Sequence, residues 1–195
     1  MAKRRIIVGM TGASAVLYGV RLLEVLQSYP DVETHLVMSR AAGITLRLES
    51  PEWTVDDVKS LADVIHREND IAASIASGSF AVEAMVVVPA SMKTVAQIAT
   101  GTGENLLCRA ADVTLKERRP LIVVPRETPM HLGHLRNLTT LAELGAIIVP
   151  PMVAFYHQPK SVNDIVDHTV GKLLDLLKIE QKLFEPWQGP NSASD

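Results

Sequence analysis

The segment ADVTLKERRPLIVVPRE, residues 111–127, places basic and acidic side chains at both ends of a short apolar run. Lys116 and Glu117 precede this run, and Arg126 and Glu127 follow it. Cations in such an arrangement can hold an anion, and a carboxyl group beside them can give or take a proton. The same charges can instead only solvate the two ends of a buried strand. The segment alone leaves both interpretations open.

The segment GMTGAS, residues 9–14, has the features of a phosphate cradle. Gly9 and Gly12 allow a tight turn and close approach of a ligand to the backbone, and Ser14 offers a hydroxyl at the predicted start of a helix. The segment matches neither the dinucleotide pattern G-x-G-x-x-G nor a P-loop. An ordinary glycine turn followed by a serine helix cap accounts for it equally well.

Hydroxyl groups follow two further apolar runs. Ser39 comes after THLVM, and the segment PASMKT, residues 89–94, contains Ser91, Lys93 and Thr94 at a predicted helix start. A helix start with hydroxyls and a lysine suits an anion or the polar edge of a cofactor. Both segments also fit plain helix caps, with Lys93 solvated.

A helix predicted over residues 104 to about 118 carries Arg109 and Lys116, which are seven residues apart. This spacing of two helical turns places both cations on one face, with Asp112 between them. An anion site and a surface ladder of charges are both compatible with the spacing. Further along, Tyr156 and His157 lie in a loop between two prolines, where they either line a pocket or pack it.

The histidines and the single cysteine do not form a metal-ligand pattern. His131 and His134 are the most closely spaced pair, and no acidic partner follows them in a known arrangement. Cys108 lies in an apolar helical stretch, which is typical of a small core residue rather than a nucleophile. We therefore predict that the protein uses no metal.

Short apolar runs alternate with helical patterns along the chain, and this alternation predicts the elements that position these residues. Continuous rather than alternating runs indicate strands covered on both faces, so a mostly parallel, doubly wound α/β sheet is expected. Ligands of such sheets lie beyond the carboxyl ends of the strands, near the point where the strand order reverses. The predicted strands cover residues 5–9, 34–38, 85–88, 121–124 and 146–149.

The composition indicates an ordinary globular protein of one domain. The 195 residues are 47% hydrophobic and 21% charged, and the net charge of -3 argues against a nucleic-acid-binding protein. The basic start of the chain is followed by an apolar run too short for a signal peptide, and no stretch is long enough to span a membrane. We expect a cytoplasmic protein with a domain over residues 1–188 and a flexible tail over 189–195.

Read together, the motifs resemble the flavin prenyltransferase family of the UbiX type. The resemblance extends to about Gly189 and includes GMTGAS, THLVMS, SGSF, SMKT, RAADVTLKERRPL, VPRETPMHLGHLR and PPMVAFYHQP. It implies a single three-layer αβα domain of flavodoxin-like or Rossmann-like fold. It also implies a homo-oligomer, commonly a dodecamer, with active sites at subunit interfaces.

The activity implied by the resemblance joins a dimethylallyl group from dimethylallyl monophosphate to N5 and C6 of reduced FMN, without a metal. The prenylated FMN then serves a UbiD-type decarboxylase, with ubiquinone biosynthesis as the expected pathway. The resemblance implies FMN contacts from Gly12, Ala13, Ser14, Ser39, Ser91, Met92, Lys93, Thr94 and Arg126.

The same resemblance assigns residues to the prenyl phosphate and to catalysis. Arg109, Lys116, Tyr156 and Lys172 would meet the phosphate. Glu127 would exchange a proton near the leaving phosphate, and the implied catalytic set is Ser14, Glu49, Lys116 and Glu127.

Three positions depart from the family pattern. Ala15 replaces a glycine, Ala90 replaces a cysteine, and Lys172 stands where arginine is usual, which keeps the charge but loses the bidentate fork. Two alternative functions therefore remain: a non-catalytic carrier of FMN, and a flavin-dependent cysteine decarboxylase of the related fold. The segment PPMVAFYH lacks the PxMNxxMW pattern of such decarboxylases.

Overall fold

The computed structural model describes residues 3–185 and residue 189. The chain divides into two compact units, residues 1–151 and residues 152–195. The predicted single domain over residues 1–188 stays a prediction. Of the predicted tail, only Gly189 is described, and residues 190–195 lie outside the described part of the chain.

The first unit alternates strands and helices as the sequence pattern predicted. Its strands are β1 (Arg4–Met10), β2 (Val32–Met38), β3 (Val64–His66), β4 (Ala84–Ala90), β5 (Leu121–Pro125) and β6 (Ile147–Ile148). Its helices are α1 (Leu17–Leu26), α2 (Arg40–Glu49), α3 (Val55–Ser60), α4 (Met92–Thr100), α5 (Leu106–Lys116) and α6 (Leu132–Glu143). The second unit contains α7 (Val162–Leu176).

The strands form a parallel sheet in the order β3-β2-β1-β4-β5-β6. The chain builds one half outward from β1 and then returns to build the other half outward from β4, so the order reverses between these two strands. The prediction of a doubly wound parallel sheet is confirmed, and the expected ligand position is the carboxyl edge between β1 and β4.

Helices cover both faces of the sheet, which is why the strands are continuous apolar runs. A Cβ added to Gly9 of β1 would lie 3.1 Å from the Leu107 side chain of α5. A Cβ added to Gly19 of α1 would lie 2.8 Å from the end of the Met10 side chain, one residue along β1 and hence on the opposite face. All residues of β4 and β5 are buried between these layers.

The sequence did not predict β3. This strand has three residues, pairs only with β2 at the edge of the sheet, and leaves Ile65 51% exposed. Such a short edge strand lacks the apolar run that marked the central strands. No helix within the described residues is long and apolar enough to cross a membrane.

Candidate functional site

Backbone hydrogen bonds join the loops at the carboxyl edge of the sheet. The amide of Ser39, after β2, donates to the carbonyl of Met10 at the end of β1 (2.9 Å). The amide of Arg126, after β5, donates to the carbonyl of Ala90 at the end of β4 (3.2 Å). Each loop is therefore tied to its neighbour, and residues predicted to bind one ligand emerge along one edge.

Thr11 completes this connection across the point where the strand order reverses. Its hydroxyl donates to the carbonyl of Pro89 (2.8 Å) and accepts from the amide of Ser91 (2.7 Å). Thr11 is 2% exposed, so these bonds are shielded from water. The sequence analysis missed this residue, although its place between the two glycines of GMTGAS was visible.

The loop after β1 leaves the Ser14 hydroxyl available to a ligand. Helix α1 begins at Leu17, and the preceding residue, Val16, makes no side-chain cap bond. Ser14 is half-buried, and within residues 3–185 its hydroxyl makes no hydrogen bond. The alternative interpretation of Ser14 as a helix cap is therefore wrong.

Glu49 reaches this loop from the last residue of α2. Its carboxylate accepts a hydrogen bond from the amide of Ala15 (2.7 Å), and Ala15 has a left-handed backbone with φ of +75°. Gly12 packs against α2, because an added Cβ would lie 2.4 Å from the Cβ of Ala41. Packing of the loop against α2 therefore requires glycine at this position, whether or not a ligand also approaches its backbone.

Ser39 and Ser91 are helix caps, as their positions suggested. The hydroxyl of Ser39 accepts from the amide of Ala42 (3.1 Å), and that of Ser91 accepts from the amide of Thr94 (3.3 Å). Met92 is 7% exposed and packs in the apolar core, so its side chain is not available to a ligand. Lys93 is exposed and forms no ion pair among the described residues.

Arg126 and Glu127 extend from the end of β5 and are both half-buried. Within residues 3–185 the Arg126 guanidinium has neither a hydrogen bond nor an ion pair, so no carboxylate among these residues neutralises its charge. Glu127 accepts a hydrogen bond from the amide of Thr128 (3.0 Å). The interpretation of these two residues as a self-contained ion pair is wrong, and a guanidinium beside the Ser91 loop is free to meet an anion.

Arg109 and Lys116 are not brought to this edge together. Helix α5 runs back along the sheet, and seven residues of helix separate the two by about 10 Å along its axis. Arg109 pairs with Asp112 (2.9 Å), and the ammonium of Lys116 contacts the carboxylate of Glu117 at the amino end of β5. Within one chain, Lys116 therefore lies at the opposite edge from Ser14 and Arg126.

Arg119, which lies just before the amino end of β5, has a structural role. Its guanidinium donates to the carbonyls of Phe80 (3.1 Å) and Gly78 (2.8 Å), which holds the loop before β4. This role is structural, in line with the interpretation of charges that only support the strand.

Two predicted phosphate-binding residues, Tyr156 and Lys172, lie near His168 in the second unit. The hydroxyl of Tyr156 lies 3.0 Å from Nε2 of His168 in α7, and Lys172 follows His168 by one helical turn. Burial lowers the pKa of His168 from its usual 6.5, and the neighbouring His157 and Lys172 lower this pKa further. The tyrosine and the lysine are thus neighbours of the same imidazole.

A basic cavity of about 440 Å³ opens beside Ser39. Arg40, Arg47 and Lys59 line it together with Ser39, so its charge suits an anion. A second cavity of about 580 Å³ is acidic, with Glu68 and Glu104 among its lining residues. Neither cavity is lined by Ser14, Ser91 or Arg126.

Cys108 is a core residue, as its surroundings in the sequence indicated. It is 3% exposed, and burial raises the pKa of its thiol to about 11, with a further contribution from Glu68. A thiol with this pKa stays protonated near neutral pH and is a poor nucleophile. In the described ranges, no group of three or more His, Cys, Asp or Glu side chains is arranged to hold a metal ion.

The parallel sheet and its joined carboxyl-edge loops define a doubly wound α/β protein of flavodoxin-like fold. A family model described as Flavoprotein matches residues 1–174. The flavin prenyltransferase UbiX of Escherichia coli K12 is 53% identical over 95% of this chain and 99% of its own length. The chain belongs to the flavin prenyltransferase family.

Two solved structures have the same fold at similar sequence identity. A dodecameric FMN-dependent UbiX-like decarboxylase from Escherichia coli O157:H7 aligns with a TM-score of 0.93 and 49% identity, covering 95% of this chain and 100% of that one. AnUbiX in complex with FMN and dimethylallyl pyrophosphate aligns with a TM-score of 0.94 and 46% identity, covering 97% and 100%.

Proposed function

We propose that the chain is a flavin prenyltransferase that moves a dimethylallyl group from dimethylallyl monophosphate to N5 and C6 of reduced FMN. The observation that supports this most directly is the set of joined loops at one edge of the sheet. These loops present the Ser14 hydroxyl and the Arg126 guanidinium, neither of which has a partner among the described residues. Relatives named flavin prenyltransferases match nearly the whole chain.

The joined loops suit FMN because they combine hydroxyls, free amides and cations. The proposed contacts are Gly12, Ala13, Ser14, Ser39, Ser91, Met92, Lys93, Thr94 and Arg126. Met92 contributes its backbone, since its side chain lies in the core. The reduced flavin supplies the electron-rich N5 and C6 atoms, and the residues around it orient those atoms and exclude water.

Transfer breaks the allylic carbon–oxygen bond, and its electron pair leaves with the phosphate. Fixed cations aimed at the leaving group stabilise its growing charge, so no metal is needed. We assign this role to Arg109, Lys116 and Lys172, with Tyr156 as a further, uncharged contact to the phosphate. Glu127 is half-buried at the end of β5 and is the proposed proton carrier, with Ser14 and Glu49 as further catalytic residues.

The position of Lys116 supports a site shared between subunits. Lys116 lies at the opposite sheet edge from Arg126 in its own chain, so a site containing both requires a second copy. A dodecamer is proposed because a structural relative at 49% identity is dodecameric. The enzyme would act in the cytoplasm and pass prenylated FMN to a UbiD-type decarboxylase, with ubiquinone biosynthesis as the proposed pathway.

An anaerobic incubation tests this function. The protein is mixed with reduced FMN and either dimethylallyl monophosphate or the diphosphate, and the released flavin is examined by mass spectrometry. The proposed activity adds one five-carbon prenyl unit to the flavin with the monophosphate. Transfer from the diphosphate but not from the monophosphate would show that the donor is the diphosphate. An unchanged flavin mass with both donors would contradict the enzyme and favour a non-catalytic carrier of FMN.

A further inference from the structure

The basic cavity of about 440 Å³ is formed by α2 and α3, and the proposed prenyl transfer does not use it. Its volume is in the range of sites that bind small molecules. Residues 40, 43 and 47 of α2 line it and have the i, i+3, i+7 spacing of a single helix face. The lining residues that carry the argument are Arg40, Gly43, Arg47, Val55 and Lys59.

This cavity and the loop after β1 lie on opposite faces of α2. Gly12 of that loop packs against Ala41, because an added Cβ would lie 2.4 Å from the Cβ of Ala41. Gly43 follows Ala41 by two residues, which rotates it by about 200° around the helix axis. The helix therefore separates the cavity at Gly43 from the loop that presents Ser14, and only Ser39 borders both.

Gly43 leaves the floor of the cavity open. A Cβ added at this buried position would lie 3.3 Å from Cγ2 of Val55 and 3.9 Å from Nη1 of Arg47. The Arg47 guanidinium therefore lies beside Gly43, one turn back along α2 and toward Arg40, in the direction that helical side chains favour. Both guanidiniums thus serve the same cavity.

The positive charge of the cavity is largely unneutralised. In the part of the chain that the structure describes, the guanidiniums of Arg40 and Arg47 have neither a hydrogen bond nor an ion pair. Lys59 pairs with Asp56 (3.0 Å). Three cations and one carboxylate leave two positive charges for a ligand.

The amino end of α2 does not itself provide the site, because its backbone donors are already used. The amide of Arg40 donates to the Glu68 carboxylate (2.8 Å), and the amide of Ala42 donates to the Ser39 hydroxyl (3.1 Å). The amide of Gly43 donates to the Ser39 carbonyl (3.2 Å). An anion in the cavity is therefore held by side chains.

We propose that this cavity is a second anion site, which binds the diphosphate group of a small molecule through Arg40 and Arg47. A guanidinium can hold a phosphate group by two parallel N–H···O bonds, so two free guanidiniums match two phosphate groups. Lys59 adds a point charge beside them. The ligand is either free pyrophosphate or a nucleoside diphosphate, and the proposal does not depend on prenyl transfer.

Calorimetric titration of the full-length protein, with and without saturating FMN, tests this site. The probes are inorganic pyrophosphate, inorganic phosphate and ADP, in buffer without divalent cations. Pyrophosphate should bind equally well with and without FMN, and about tenfold more tightly than phosphate, because the second guanidinium then has a partner. Tighter binding of ADP than of pyrophosphate would identify a nucleoside diphosphate, and equal or weaker binding would identify free pyrophosphate.

Substitution of the arginines assigns the binding to the cavity. Arg40→Gln and Arg47→Gln should each raise the Kd for pyrophosphate by about tenfold, the loss expected for hydrogen bonds between charged groups. Both residues are exposed, so their replacement leaves the core intact. Arg136→Gln is the matched control, since Arg136 is an exposed arginine of α6 outside the cavity. The Kd for FMN should be equal in all three variants.

Equal Kd values for pyrophosphate in Arg47→Gln and Arg136→Gln would overturn the site. Binding of pyrophosphate only in the absence of FMN would contradict a second site, because the cavity would then belong to the flavin site. Phosphate that binds as tightly as pyrophosphate would rule out the diphosphate class of ligand.

Discussion

Ala15 adopts a backbone conformation that alanine rarely accepts, in the loop that presents Ser14. Its φ of +75° lies in the left-handed region, which costs a residue with a Cβ about 1–2 kcal/mol. Its amide nevertheless holds the Glu49 carboxylate (2.7 Å). Alanine in place of the usual glycine therefore lowers the stability of the loop, but the hydrogen bond to Glu49 is retained.

Ala15→Gly should stabilise the protein by up to about 1 kcal/mol, because removal of the left-handed penalty outweighs the added flexibility of the unfolded chain. Ala142→Gly is the matched control, since Ala142 is exposed within α6 and its replacement should cost about 1 kcal/mol. Urea unfolding of both variants measures the difference. Destabilisation by Ala15→Gly as large as that of the control would contradict this account of the loop.

At the scale of elements, Thr11 joins the loop after β1 to the loop after β4 through two hydrogen bonds of its hydroxyl group. Thr11→Val preserves the shape of the side chain but removes the hydroxyl. The Ser91 amide then loses its acceptor, and the Pro89 carbonyl loses one of its donors. The expected loss of stability is about 1–3 kcal/mol, with weaker FMN binding because the loops separate.

Thr100→Val is the control for this substitution, since the Thr100 hydroxyl is exposed and bonds only to nearby groups, the Ala96 carbonyl of its own helix and the Thr102 hydroxyl. It should leave FMN affinity unchanged. Calorimetric titration with FMN and thermal unfolding of both variants provide the comparison. Equal FMN affinity in Thr11→Val and the unsubstituted protein would show that Thr11 does not organise the ligand site.

The edge strand β3 should make stability depend on pH. Nε2 of His66 lies 2.9 Å from Nδ1 of the buried His35, and desolvation, then His35, lower the pKa of His66, while Asp70 opposes the shift. The unfolded chain therefore binds a proton at His66 more readily than the folded chain does. The contribution of His66 to stability is present above the pKa of histidine in the unfolded chain, near 6.5, and is lost as the pH falls below that pKa.

His66→Gln removes this titration while keeping a hydrogen-bond donor. When the pH is lowered from about 7.5 to about 5.5, the melting temperature of the variant should fall by less than that of the unsubstituted protein. The lowered pKa of His168 has the same sign and accounts for part of the loss that remains. Identical losses in the two proteins would rule out His66 as a source of the pH dependence.

Much of the fold followed from the sequence, because strands covered on both faces read as continuous apolar runs. The three-residue β3 was missed, since a half-exposed edge strand carries no such run. The carboxyl-edge loops were predicted from topology, but Thr11 joins residues 80 positions apart and leaves no local pattern. The shared helix face of Arg109 and Lys116 did not reveal that α5 carries them toward opposite edges of the sheet.

At the scale of the whole molecule, the position of Lys116 makes a prediction about assembly. If each site takes Lys116 from one chain and Arg126 from another, Lys116→Ala and Arg126→Ala are each inactive alone. Mixed oligomers formed by co-expression should recover part of the activity, because some sites then contain both native residues. A site formed within one chain would never be complete in the mixture, so no recovery would contradict the shared site.

The central claim is that the protein breaks the allylic phosphate bond and does not merely carry FMN. The most direct measurement is inorganic phosphate released from dimethylallyl monophosphate, compared with the amount of prenylated flavin formed under anaerobic conditions. A prenyltransferase releases one phosphate for each flavin modified, and only when reduced FMN is present. Tight binding of FMN without phosphate release and with the flavin unmodified would contradict the claim.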